Sequence, residues 1–379
     1  MSNFGEDLST CINILKGCIG GGIYSYPLLF EHYGVGLTAV MTILSGIASI
    51  FGAFIYLDLN EELKRKHSIS SLACKIFSQR FKYFVDVVVI LKCLVVAMGY
   101  LNLSKTMIRT VLSNSEHPYF KNPFMDLPSL FAAVGCLIQA PSILAARIDN
   151  LRYFSYIGTF SIIFIIISSM CVNNEKPATF SVFTGDYNVI KEIGSFVFCF
   201  SCHQGILSIH NESSFLLIRL KLIMIVGFVG AGILYLLFGF INYSKLAGMG
   251  NMDDVFLLWD NQNLKMISAL LFSFSLILSV PFQVHPAKTY LSDIFNLKNN
   301  SRKAVGIIMM LLCYFLTLTD SFNFKLASNV ISKPFNILLC FLFPAIFQIC
   351  NRTEKSTAEI VMIWYLILFS ILCISSFFF

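Results

Sequence analysis

The segment Gly17-Cys18-Ile19-Gly20-Gly21-Gly22-Ile23-Tyr24-Ser25-Tyr26-Pro27 lies within an otherwise apolar stretch. Each glycine costs about 1 kcal/mol against alanine in a helix interior, and a proline follows, so the spacing predicts a helix broken at this depth. The N–H groups of Gly20, Gly21, Gly22 and Ile23 then open the second half-helix, where the helix dipole favours an anion such as a carboxylate. A second polar interruption, Phe198-Cys199-Phe200-Ser201-Cys202-His203-Gln204-Gly205, comes much later in the chain. Carbonyls freed near residues 16–19 and 198–201 are acceptors for an ammonium group. An anion site beside a cation site describes a zwitterionic α-amino acid. Cys18, Tyr24, Phe198, Phe200, Ser201 and Cys202 make apolar or weakly polar walls, and neither interrupted stretch offers a carboxylate at that depth, so a neutral side chain is expected.

The elements that must hold these breaks are membrane helices. Of 379 residues, 56% are hydrophobic and 13% charged, with net charge +6; soluble domains carry roughly 25% charged residues. This excludes a soluble enzyme, and a charge diluted over the whole chain excludes a nucleic-acid reader. With 38 Phe and many Leu and Ile, the pattern is lipid-facing helix and not alternating barrel strand. Cutting at charged and Pro/Asn-rich breaks gives about eleven stretches near the 20 residues needed to span a bilayer. They run near 7–30, 34–59, 83–112, 127–146, 153–172, 190–211, 217–241, 264–288, 304–320, 330–350 and 358–379. The broken stretches are the first and the sixth. Each therefore opens a five-helix repeat (1–172 and 190–350), the second inverted, with 358–379 peripheral, in a single transmembrane domain. Loops after even-numbered stretches hold sixteen of the 27 Lys and Arg, against seven in the opposite loops, which places the N-terminus in the cytosol.

The motifs carry a resemblance. Leu15-Lys16-Gly17-Cys18-Ile19-Gly20-Gly21-Gly22-Ile23 with Pro27 resembles the glycine-rich first span of the amino acid/auxin permease family. Phe200-Ser201-Cys202-His203-Gln204 with Ser208-Ile209-His210-Asn211-Glu212 is similar to the sixth-span motif of that family's fungal vacuolar and sodium-coupled neutral members, and Val280-Pro281-Phe282-Gln283-Val284-His285-Pro286-Ala287-Lys288 resembles their eighth-span exit. Residues 86–100 and 141–158 resemble the third span and the fourth-to-fifth turn. The resemblance implies an all-α, eleven-helix LeuT-type fold, secondary amino acid transport, and, in sodium-dependent members, an ion site between the first-span break and a span-8 hydroxyl. Ser279 matches that hydroxyl best, with Ser275 one turn earlier. Lys16 stands where sodium-coupled relatives carry asparagine and proton-assisted relatives carry lysine. Proton coupling or exchange, without sodium, is therefore expected.

An ammonium in mid-membrane costs about 2.5–3.5 kcal/mol on insertion scales, so Lys16 reads as functional, its protonation linking occupancy to pH. His203 suits a proton relay, a substrate contact or a plain bond to a backbone carbonyl. Asp86, Lys92, Lys105 and Arg109 include residues near both ends of the third stretch, so most read as rim charges, with Lys105 and Arg109, four apart on one face, also placed to line the outer vestibule; His285 reads as interfacial. No GxSxG, HExxH or phosphate loop is present, and Cys199 with Cys202 lacks a second pair for a metal. No enzyme, cofactor or metal is expected. The Asn242-Tyr243-Ser244 sequon hugs the membrane. The expected partners are the amino acid and the bilayer, with the chain a monomer in a vacuolar, lysosomal or plasma membrane. A transport-silent amino acid sensor using the same pocket is the alternative.

Overall fold

The computed structural model describes residues 4–112, 132–137, 139, 152–172, 181–183, 189–213, 215–249, 252–318, 327–351 and 355–377. Helices dominate: α1 Phe4–Cys18, a 3-10 turn Gly21–Ser25, α2 Tyr26–Glu62, α3 Ile69–Ile76, α4 Gln79–Leu112, α5 Arg152–Met170, α6 Val189–Cys199, α7 His203–Glu212 and α8 Leu217–Leu246. A 3-10 segment Met252–Leu258 precedes α9 Gln262–Ile277, α10 Val280–Ile294 and α11 Asn299–Leu318. The last two are α12 Ser328–Cys350 and α13 Thr357–Ser375.

Among the described residues, nine helical segments are long and apolar enough to cross a membrane. The difference from eleven has a local cause. Gly21–Glu62 forms one 42-residue segment that contains Gly34 at φ 74°, a left-handed backbone that glycine adopts without a side-chain clash. The chain turns there, so this segment holds the second half of the first stretch and all of the second. The first half is α1, and stretch 127–146 lies largely outside the described residues. Leu216, Ile218, Val226, Phe160, Trp364 and Leu368 stay exposed on α5, α8, α13 and the start of α8, as lipid-facing helices require.

α2 lies along α8, and α1 packs on α8; α4 packs against α9, α10 and α11, and α5 touches α1, α8 and α9. The first and sixth stretches are interrupted where expected, between Cys18 and Gly21 and between Cys199 and His203. A third interruption separates α9 from α10. Pro281 has no N–H to give the Ile277 carbonyl, and the Gln139 side-chain amide donates to that oxygen instead. In α12 two π-helical turns, Ser328–Ser332 and Leu338–Leu342, loosen the ladder; the Tyr56 hydroxyl donates to the Leu339 carbonyl at 2.8 Å.

Three of the four charges of the third stretch lie inside the protein. Asp86, Lys92 and Lys105 are buried, and Lys105 donates at 2.9 Å to the Thr317 carbonyl in the last turn of α11. His285 is buried as well. Asn242 is buried between the Phe238 carbonyl and the Trp259 indole N–H, out of reach of glycosylation.

Candidate functional site

The two breaks meet. Cys18 and Cys202 thiols stand 3.4 Å apart across them, and the Tyr235 hydroxyl of α8 lies 2.8 Å from the Cys18 carbonyl and 2.7 Å from the Cys199 carbonyl. One hydroxyl thus stands against the freed carbonyls of both half-helices, and the Cys199 carbonyl retains a lone pair for an ammonium. The amide of Gly20 is not free as expected: it donates to the Cys18 carbonyl at 3.0 Å. The donors that open the second half are therefore Gly21 and Gly22, at the start of the 3-10 turn, where no preceding turn can accept from them.

Beside these two glycines is a cavity of about 400 Å³, lined by Tyr24 and Leu28 from the first stretch, Val96, Tyr100 and Leu103 from α4, Phe198 and Cys199 from α6, and Ser328 and Asn329 from α12. A Cβ on Gly20 would overlap the Tyr100 hydroxyl, and one on Gly22 would come 2.7 Å from the Cys199 sulfur. The glycines allow this close approach. Glu192 and Lys333 also line the cavity. Glu192 is seven residues before Cys199, about 10 Å along the helix, and accepts a 2.9 Å bond from Ser195. The pathway therefore does hold a carboxylate, farther out than the breaks, balanced by an ammonium.

On the opposite side of the breaks, the void bordered by Asn13, Gly17, Cys202, Gln204 and Phe282 is only about 20 Å³, room for about one water. Among the described residues, the space beside the breaks is wide on the Tyr24 side and narrow on the Gln204 side.

Lys16 is 2% exposed, and its ammonium donates to the Ser275 hydroxyl at 2.7 Å and the Ser275 carbonyl at 3.2 Å. The Ser275 hydroxyl donates to the Gly158 carbonyl at 3.1 Å, while Ser279 donates to the Ser275 carbonyl at 2.9 Å. Lys16 therefore meets Ser275, with Ser279 one bond removed, and ties α1 to α5 and α9. The stem passes so close to Gly158 that a Cβ there would overlap the Lys16 side chain.

The structure brings Gly21, Gly22 and Phe198 to the cavity and Lys16, Ser275 and Ser279 together behind it. Ile23 is buried in the core. Phe200 packs against Phe228 and Tyr235, and the Ser201 hydroxyl donates to Asn336. His203 Nε2 donates to the Ser49 carbonyl at 2.9 Å, facing α2 and away from the cavity. Sequence reasoning missed Tyr100, Tyr235, Glu192 and Lys92. The Lys92, Val96, Gly99, Tyr100, Leu103 stripe on one face of α4 was the available signal.

A family model for transmembrane amino acid transporter proteins matches residues 6–379. The chain belongs to that family. It is similar to vacuolar amino acid transporter 5 of Schizosaccharomyces pombe, 24% identical over 288 residues that cover 74% of this chain and 67% of that protein. Vacuolar amino acid transporter 5 of Saccharomyces cerevisiae is 22% identical over 316 residues, 78% of this chain and 68% of that protein. Vacuolar amino acid transporter 6 of the same yeast is 20% identical over 301 residues, 76% and 66% of the two chains. The family and these relatives are transporters, not enzymes, and the multi-pass helical architecture agrees with membership.

Proposed function

We propose that this chain carries neutral amino acids across a membrane by alternating access, coupled to protons or driven by exchange and independent of sodium. The observation that carries the reading is the meeting of two broken helices beside a cavity of about 400 Å³, with a void of only about 20 Å³ on the other side of the breaks. The substrate carboxylate would take the Gly21 and Gly22 amides and the ammonium the Cys199 carbonyl, with the side chain against Phe198 and Val96. Glu192 and Lys333 together keep the wall near neutral, which supports a neutral side chain. Lys16 on Ser275 supports proton coupling, because an ammonium already fills the place a sodium ion would need. Eleven spans in two inverted five-helix repeats, a cytosolic N-terminus, a monomeric state and a vacuolar membrane complete the proposal, the last supported by relatives named as vacuolar transporters. No observation favours a transport-silent sensor.

Labelled amino acid flux into proteoliposomes, competed by each of the twenty amino acids, tests the reading. Saturable flux blocked by neutral amino acids is expected. Saturable binding without flux would overturn transport, and preference for lysine or arginine would overturn the neutral assignment.

A further inference from the structure

Lys92 is 1% exposed and thirteen residues into α4, about 20 Å from its start, too deep to reach water by snorkelling. Its ammonium is 2.9 Å from the Gln204 side-chain oxygen and 3.5 Å from the Ser201 carbonyl, both in or just after the break between α6 and α7. The Gln204 amide donates onward to Gln283 of α10 at 3.2 Å, and the Gln283 side chain meets the Tyr100 hydroxyl. Tyr100 lines the large cavity, whereas Gln204 borders the 20 Å³ void on the other side of the breaks. A polar chain thus runs from the cavity wall to the narrow end and links α4, α7 and α10 there.

The Gln204 and Ser201 oxygens that Lys92 meets are neutral. A charge-assisted bond of this kind holds a side chain in one rotamer yet is far easier to break than a desolvated ion pair. For a solute to leave on the narrow side, Gln204 must part from Lys92 and Gln283. Lys16 links α1 to α9 in the same way, so each broken stretch is tied by an ammonium to a helix outside it.

We propose that Lys92, acting through Gln204 and Gln283, is the latch of the narrow side of the pathway: a positioning residue whose bonds break once per transport cycle and which senses the cavity through Tyr100. The inference rests on the alternating-access reading above. It adds a device that resemblance to the family did not assign and that reads in sequence as a rim charge.

The test uses the full chain in liposomes and N-ethylmaleimide as probe, with labelling of Cys202 followed by peptide mass spectrometry. Cys202 borders the void, so its labelling rate reports opening there. Lys92→Met should label about tenfold faster, the worth of one charge-assisted bond, and lose concentrative uptake. Gln204→Glu gives the ammonium an anionic partner while the Gln283 amide turns to donate, and should label more slowly and turn over more slowly. If Lys92→Met does not fold, Gln283→Leu serves in its place and should also label faster. Opposite shifts in the two directions support the latch; equal rates, or shifts of one sign in both variants, overturn it. Absence of flux in the unmodified protein would overturn the transport reading, whereas unchanged Cys202 labelling in a protein that transports would overturn the latch alone.

Discussion

Replacing Lys16 by methionine keeps the stem and removes the ammonium. Two bonds are lost, at 2.7 Å to the Ser275 hydroxyl and 3.2 Å to its carbonyl. Neither acceptor is orphaned, because Ser275 still donates to Gly158 and its carbonyl still receives Ser279. Each lost bond is worth about 1.5–3 kcal/mol, but the variant also escapes the ammonium's insertion cost of about 2.5–3.5 kcal/mol, so the net loss of stability should be no more than about 3.5 kcal/mol. The functional change should be larger. In the unmodified protein an incoming sodium ion about 4 Å from the ammonium is repelled by about 4 kcal/mol at an effective dielectric of 20, nearly a thousandfold in affinity; methionine abolishes that barrier and the titrating group together. In proteoliposomes with and without an imposed pH gradient, Lys16→Met should give flux that is lost or indifferent to the gradient. A folded variant whose flux follows the gradient as the unmodified protein does would refute the assignment of coupling to Lys16.

Gly158→Ala places a methyl group against the Lys16 stem and should reproduce the blunted pH response with the ammonium still present; a normal response in the flux assay would contradict this. In Gly20→Ala the new Cβ overlaps the Tyr100 hydroxyl and should abolish flux, whereas Gly5→Ala, with open space around it, should transport normally. Equal flux in the two would show that the break tolerates bulk. Tyr235→Phe removes the donor shared by the Cys18 and Cys199 carbonyls and should destabilise by about 1–3 kcal/mol, read as a lower thermal midpoint in detergent. An unchanged midpoint would mean those carbonyls need no donor.

The breaks at residues 18–21 and 199–203 were legible because consecutive glycines, and polar residues within an apolar run, contradict a continuous membrane helix. Lys16 was legible for a related reason: a charge beside a break has few bland explanations. Lys92 was not, because three other charges share its stretch and a one-dimensional reading cannot separate a deep lysine from one near the rim. Glu192 was hidden by depth, since a residue two turns from a break still faces the same cavity when it falls on the same helical face. Phe200 and His203 carry the opposite lesson. Adjacent to the break in sequence, they point towards α8 and α2, because a few residues of irregular backbone rotate side chains out of any simple order. Tyr235 came from another helix altogether, which no local pattern announces.

The most direct test of the central claim is uptake of a labelled neutral amino acid into proteoliposomes in choline medium free of sodium, with and without a pH gradient. The account predicts saturable uptake that persists without sodium and rises when the gradient is imposed, or, in pure exchange, when unlabelled amino acid is preloaded. Uptake that appears only when sodium is restored would contradict it.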